Sequence, residues 1–479
     1  MGSLPASSSA WDDRVLAPAA HLLCLGSAGC AGMSAPIRWC RTDSFNFFSF
    51  ALGMLAEAYA FGAASVAAGW FVMPKFMVSL LLVWAPIWLM AGIAIAGPLS
   101  DRIGRRRMFY LTMAAYALGA LGLAFSFGYA AVLAALAVML LAAGGEMNTI
   151  LVASHELMPP AHRGKATMAA VNFVSLGGLV LAIAAFSAAY QQVAVQREVV
   201  GLVGFGIVAS LLVVRGHTPE SLRWLRVRDP VRAQAEALTY YGAQAPARLA
   251  VIDAEHIAQT SSIAWGDRLV WLKLFCSIAM AFGDVAGFGM ITYVVGPYFF
   301  KSLTAGILLV ASLAAVLSGL AFLLGDRVGR RFLLLGGYAG CMAISLGIWF
   351  AQPWWLGHGG RFLALVFALN IVINVAYMAE DTFKAEIWPT ALRGRMTALV
   401  RFTSIGLYGA MVLLTQHLAI ADFLALNTGF WGVGLLGALV WFGFGRETGG
   451  GVSLGVASGE VSDAGLPHSA RSVQKYPAH

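Results

Sequence analysis

Gly97-Pro98-Leu99-Ser100-Asp101-Arg102-Ile103-Gly104-Arg105-Arg106-Arg107 lies in the first half of the chain, and a shortened form returns as Gly325-Asp326-Arg327-Val328-Gly329-Arg330-Arg331. Two further signatures repeat with it. Glu156-Leu157-Met158-Pro159, followed by Arg163-Gly164, returns as Glu386-Ile387-Trp388-Pro389, followed by Arg393-Gly394. Pro219-Glu220-Ser221 returns more weakly as Arg446-Glu447-Thr448. The displacements are 225 (Asp101 to Asp326), 230 (Glu156 to Glu386) and 227 (Glu220 to Glu447). A shift that constant means two copies of one unit, each carrying its charges between long apolar runs.

Composition says where such a unit lives. Of 479 residues, 59% are hydrophobic and 11% charged; a soluble domain carries about 25% charged residues. The net charge of +8 does not indicate nucleic acid, because the basic residues sit in short clusters between stretches of membrane-spanning length. Five scattered cysteines (Cys24, Cys30, Cys40, Cys276, Cys341) show neither disulfide nor metal spacing, and no cofactor is expected. No metalloprotease, nucleophile-elbow or phosphate-cradling motif is found. An enzyme is not expected.

Counting apolar runs of about 20 residues predicts twelve spans. They are 45–68, 74–97, 107–127, 129–153, 166–189 and 198–214, then 269–296, 303–324, 332–352, 361–384, 396–418 and 423–444. The expected class is an all-α membrane protein with twelve transmembrane helices in two six-helix pseudo-symmetric bundles. The bundles are expected over 44–215 and 269–448, with a helix-containing cytoplasmic linker at 216–268. Residues 1–43 are read as a disordered tail that includes residues upstream of the true start as one alternative, and 449–479 as a second polar tail. Arginines and lysines cluster in the even-to-odd loops, while the opposite loops hold only Lys75, Arg197, Lys301 and Arg361. By the positive-inside rule both termini are cytoplasmic.

Few charges lie deep in the spans: Glu57 in span one, Glu146 in span four, Asp284 in span seven, with Glu380 and Asp381 lower in span ten. At ~1.5 Å per residue, Glu146 is roughly 15 Å from Glu156 and so near mid-membrane; Glu57 and Asp284 fall at similar depth. A carboxylate in hydrocarbon must face a cavity, take a partner or stay protonated. Glu57, Asp284 and Glu146 are therefore the candidate proton carriers, against the alternative of protonated groups bridging helices. Gly144 and Gly145 favour close packing around Glu146. The candidate cavity residues are Tyr59, Asn148, Asn172, Tyr293, Asn370 and Asn374, the last two at i, i+4 on one face. Arg401 is read as snorkelling to the cytoplasmic surface rather than binding an anion.

The loop Gly97-x-x-x-Asp101-Arg102-x-Gly104-Arg105-Arg106 resembles the signature of the major facilitator superfamily, over residues 44–448. Pro219-Glu220-Ser221-Leu222-Arg223-Trp224-Leu225 resembles the motif after span six in sugar porters. Gly144-Gly145-Glu146 and Gly53-Met54-Leu55-Ala56-Glu57-Ala58-Tyr59-Ala60-Phe61 resemble metabolite–proton symporters, though Ala58 and Ala60 stand where that pattern has Trp and Asp. Those relatives carry an arginine ten residues before the span-four glutamate; here that position is Leu136. Phe322 replaces the first glycine of the second loop copy.

The resemblance implies the major facilitator fold and alternating access by the two bundles. It implies cytoplasmic gate groups Asp101, Arg102, Arg105, Arg106, Glu156, Arg163, Glu220, Arg223, Asp326, Arg327, Arg330, Glu386, Arg393 and Glu447. Within these, Glu156 is expected to pair with Arg393, and Glu386 with Arg163. The resulting expectation is proton-coupled symport of a small polar organic solute: a sugar, polyol or organic acid. A proton antiporter exporting drugs or metabolites, and a nutrient sensor without flux, are the alternatives. The expected partners are lipid, solute and protons, not nucleic acid, with a monomer in a bacterial inner membrane.

Overall fold

The computed structural model describes residues 37–159, 162–258, 268–320, 328–388 and 393–449. Among them, twelve helices are long and apolar enough to cross a bilayer. The first six are α1 (Arg41–Ala67), α2 (Lys75–Ile103), α3 (Arg105–Ala124), α4 (Gly128–Leu157), α5 (Arg163–Ser187) and α6 (Val193–Arg215). Three short helices follow, α7 (Leu222–Arg228), α8 (Pro230–Tyr241) and α9 (Ala245–Ala258). The last six are α10 (Arg268–Phe299), α11 (Thr304–Ser318), α12 (Arg330–Phe350), α13 (Gly359–Glu386), α14 (Arg393–Leu414) and α15 (Ile420–Phe444). Outward faces are apolar, with Leu118, Leu202, Leu212, Leu317, Leu414 and Leu439 exposed, as a hydrocarbon solvent permits.

Within the first half α4 packs on α2 and α3, and α1 on α5; within the second, α15 packs on α10 and α12, and α13 on α11. The halves meet where α5 lies against α11 and α13, and α2 against α14. Small residues set the closest approaches. A Cβ on Gly144 would lie 2.0 Å from the Leu89 carbonyl oxygen, so α4 reaches α2 only because that position is glycine.

The first helix opens at Arg41, inside the stretch assigned to the tail. Cys40 is its N-cap, where the Asp43 carboxylate accepts from the Cys40 N–H at 2.9 Å, which supplies a partner for an otherwise orphan donor. The same end of α1 is bolted to the linker. Arg248 of α9 grips the buried Asp43 carboxylate at 2.7 and 3.0 Å and stacks over Tyr241. Thr42 donates to the Tyr240 carbonyl at 2.6 Å. Ser221 and Asp229 cap α7 and α8 through their side chains.

Candidate functional site

The three repeated signatures meet as one structure in each half. In the first, the Glu220 carboxylate accepts from the Arg105 and Arg106 backbone N–H groups at the start of α3, at 2.8 and 3.2 Å. In the second, Glu447 accepts from Arg330 and Arg331 at the start of α12, at 2.6 and 3.3 Å. Each acid satisfies orphan donors and meets the positive helix end. The arginine it holds then reaches the third signature: Arg105 pairs with Glu156 at 3.3 Å, and Arg330 with Glu386 at 3.0 Å. Gly104 has φ +96°, and a Cβ there would lie 2.3 Å from Glu220 Oε2; only glycine fits.

Other charged groups of the repeated signatures fill in around this frame. Asp101 pairs with Arg105 at 2.8 Å, and the Asp101 and Arg102 carbonyls accept from Arg228. Ser221 donates to Glu156 at 2.6 Å. Burial acts to raise the Glu156 carboxyl, but Arg105, Ser221 and Arg223 outweigh it and hold the group below its ordinary range. Burial pushes Glu220 up, and the backbone donors only temper this. Asp326 and Arg327, and the side chains of Arg163 and Arg393, lie outside the described residues.

Between the halves lies a cavity. Glu57 of α1 and Asp284 of α10 both line it, at 5% and 2% exposure. They are 227 residues apart, the repeat spacing. Asn370, Asn374 and Tyr293 also line it. Tyr293 sits in the π-wound turn Met290–Val294 of α10, a distortion that often marks functional sites, with Phe61 and Phe288 edge-on to its ring. Asn374 crosses the interface, donating to Asn172 Oδ1 at 2.9 Å and accepting from Ser175 at 3.0 Å, both on α5. Asn172, expected on the lining, is not part of it; it orients Asn374, which is. Three buried acceptor atoms on the lining, Glu57 Oε2, Asp284 Oδ1 and Asn370 Oδ1, have no hydrogen-bond partner among the described residues.

Three expected residues are placed elsewhere. Tyr59 turns away from the cavity, donating to the Val200 carbonyl at 2.6 Å and packing against Gly204. Asn148 lines a separate cavity on the Asp101 side, with Arg105 and Arg395. Glu146 is enclosed by α3 and α6: Arg215 grips its carboxylate and Thr112 donates to it. The basic partner of Glu146 is thus on α6, and position 136 is a buried leucine. Arg215 closes the sixth span, just past the predicted end at 214, and the packing of α6 on α3 and α1 brings it to Glu146.

Arg401 does not snorkel. It is 1% exposed and donates to both oxygens of Asp381, at 2.6 and 2.7 Å. Lys384 bridges Asp381 and Glu380 at 2.5 and 2.8 Å. Two acids meet two bases, so the cluster is self-neutralised. It lies one helical turn from the cavity, because Tyr377 and Ile405 of the lining are four residues from Asp381 and Arg401. Lys384 was missed because one lysine near a helix end looks like a topology signal.

The Major Facilitator Superfamily family model matches residues 37–413. The chain is 26% identical over 328 residues to the glucose transporter GlcP of Staphylococcus epidermidis, covering 64% of this chain and 71% of that one. It is 26% identical over 412 residues to the arabinose-proton symporter of Bacillus subtilis, covering 79% and 86%. Among solved structures, the proton:xylose symporter XylE bound to 6-bromo-6-deoxy-D-glucose superposes with a TM-score of 0.68 at 19% identity, covering 86% of this chain and 98% of that one.

Proposed function

Because this chain belongs to the Major Facilitator Superfamily, we propose that it couples the inward flow of protons to the uptake of a sugar or closely related polyhydroxyl solute. It is a twelve-helix membrane transporter, not an enzyme. The observation that carries the sugar reading is the set of orphaned acceptors in the central cavity. Buried acceptors need donors, and a ring bearing several hydroxyls supplies them. The aromatic walls suit the apolar faces of such a ring. The relatives named for glucose and arabinose transport support the same class.

The organic-acid reading loses support. Among the described residues no lysine or arginine lines the cavity, and the charges of the nearby Arg401 and Lys384 are balanced by Asp381 and Glu380, although Arg401 Nε and Nη1 have no hydrogen-bond partner among those residues.

Glu57 is the proposed proton carrier. It is buried, faces the cavity, and has the charge of Arg401 in the other half within electrostatic reach. Glu146 is instead a structural partner of Arg215. In the cycle, Glu156 and Glu386 exchange their partners within each half for Arg393 and Arg163 across the interface as the cytoplasmic side closes. On this reading both termini lie in the cytoplasm of a bacterial cell, supported by the arginines and lysines clustered in the even-to-odd loops, and the transporter acts as a monomer.

In proteoliposomes, an inward proton gradient should drive accumulation of labelled D-glucose, D-xylose or L-arabinose. Glu57→Gln should abolish accumulation while leaving exchange of internal for external sugar. A mutant that still concentrates sugar with an unchanged pH dependence would move the proton site elsewhere, first to Asp284.

A further inference from the structure

The cavity holds more acidic groups than a neutral sugar needs. Each half contributes one carboxylate at the same repeat position, and no base among the described lining residues offsets them. Both are more than nine-tenths buried, and each keeps an orphaned oxygen. Four aromatic rings, Phe61, Phe288, Tyr293 and Tyr377, share the lining. Their faces are electronegative and attract cations.

The surroundings distinguish the two acids. Glu57 has Arg401 as its strongest charged neighbour, then Asp381 and Lys384, with Tyr116, Tyr293 and Tyr377 in range. Asp284 has Glu380 first, then Lys384 and Asp381, with Tyr338, Tyr377 and Cys341 in range. One acid therefore meets a base first, and the other meets another acid. With Glu57 assigned to the proton above, Asp284 is the lining acid left for a positive group on the solute, and its acidic neighbour Glu380 favours one. Its donors would also meet the orphaned oxygens, since an ammonium offers three donors and no acceptor.

Resting on the sugar reading above, we propose that the preferred solute is a hydroxylated ring bearing a protonated amine, an amino sugar, with its nitrogen held by Asp284 and its ring between the aromatic walls. Neutral sugars then bind the same cavity more weakly, and anionic sugars are rejected.

Equilibrium binding to the purified full-length transporter near neutral pH tests this with four probes: D-glucose, D-glucosamine, N-acetyl-D-glucosamine and tetraethylammonium. The first three share a ring and differ in charge at one position. Glucosamine should bind at least about tenfold more tightly than glucose or the neutral amide, because its ammonium alone meets the Asp284 carboxylate and the aromatic faces. Asp284→Asn should collapse that ratio, and Asp284→Glu, which keeps the charge, should retain most of it. The wild-type comparison stands even where a variant fails to fold. Glucose binding as tightly as glucosamine would overturn the amine assignment and leave the sugar reading intact. Tetraethylammonium binding without any sugar would support a cation site and overturn the sugar reading. Binding of neither glucosamine nor tetraethylammonium to folded protein would overturn the proposal.

Discussion

Glu146 and Arg215 illustrate how a buried charge is tolerated in a membrane span. Both are at most 1% exposed, and the Phe109 ring stacks beneath the guanidinium while its carbonyl accepts from Arg215 at 3.3 Å. Removing one partner strands the other in a dry site, at about 3–5 kcal/mol, whereas replacing both by apolar groups of similar volume is often nearly neutral. Glu146→Ala and Arg215→Ala should each lower the melting temperature of the purified protein sharply. Glu146→Leu with Arg215→Met should recover most of the loss and keep gradient-driven uptake. Single variants as stable as the parent would contradict the pairing. The sequence made Glu146 visible as a costly group but left its role open, because Arg215 is 69 residues away and looks like any basic flank. Tyr59 fails for the opposite reason: neighbouring side chains on a helix point about 100° apart, so being two residues from Glu57 places it on another face.

At the scale of elements, the repeat was legible because charges between apolar runs stand out, and because each copy needs the same short-range geometry. A carboxylate capping a helix start, an arginine in the first turn and a second carboxylate on a neighbouring helix recur in both halves. The linker helices were less legible, since their fixing contacts are long-range. Gly104 gives this scale its sharpest test. Gly104→Ala forces a side chain into the φ +96° turn and against Glu220. Strain of this kind costs on the order of 1–3 kcal/mol, and the clash adds to it. Its melting temperature should fall below that of Glu220→Ala, which loses the cap but brings no clash. The reverse order would mean that the turn relaxes freely.

At the scale of the whole molecule, alternation between cavity openings requires contacts between halves that break. Arg393→Ala removes one proposed partner of Glu156, so cysteines placed along the Arg393 end of α14 should label faster; unchanged labelling and transport would remove Arg393 from the proposed gate. A different long-range contact governs how the chain is made. Asp43 and Arg248 are 205 residues apart, yet the carboxylate at the start of α1 is fully buried against that arginine. During synthesis the first six spans are therefore complete well before α1 gains its anchor, and α1 must wait at the membrane with an uncompensated acid until α9 leaves the ribosome. Two co-expressed fragments should consequently reassemble according to where the chain is cut. A cut after Arg228 gives Asp43 to one fragment and Arg248 to the other, so the first fragment should be degraded when expressed alone. A cut after Ala258 keeps the anchor with its helix, and that fragment should persist in the membrane without its mate. Equal lifetimes of the two fragments in a pulse-chase experiment would show that α1 needs no such late-arriving partner.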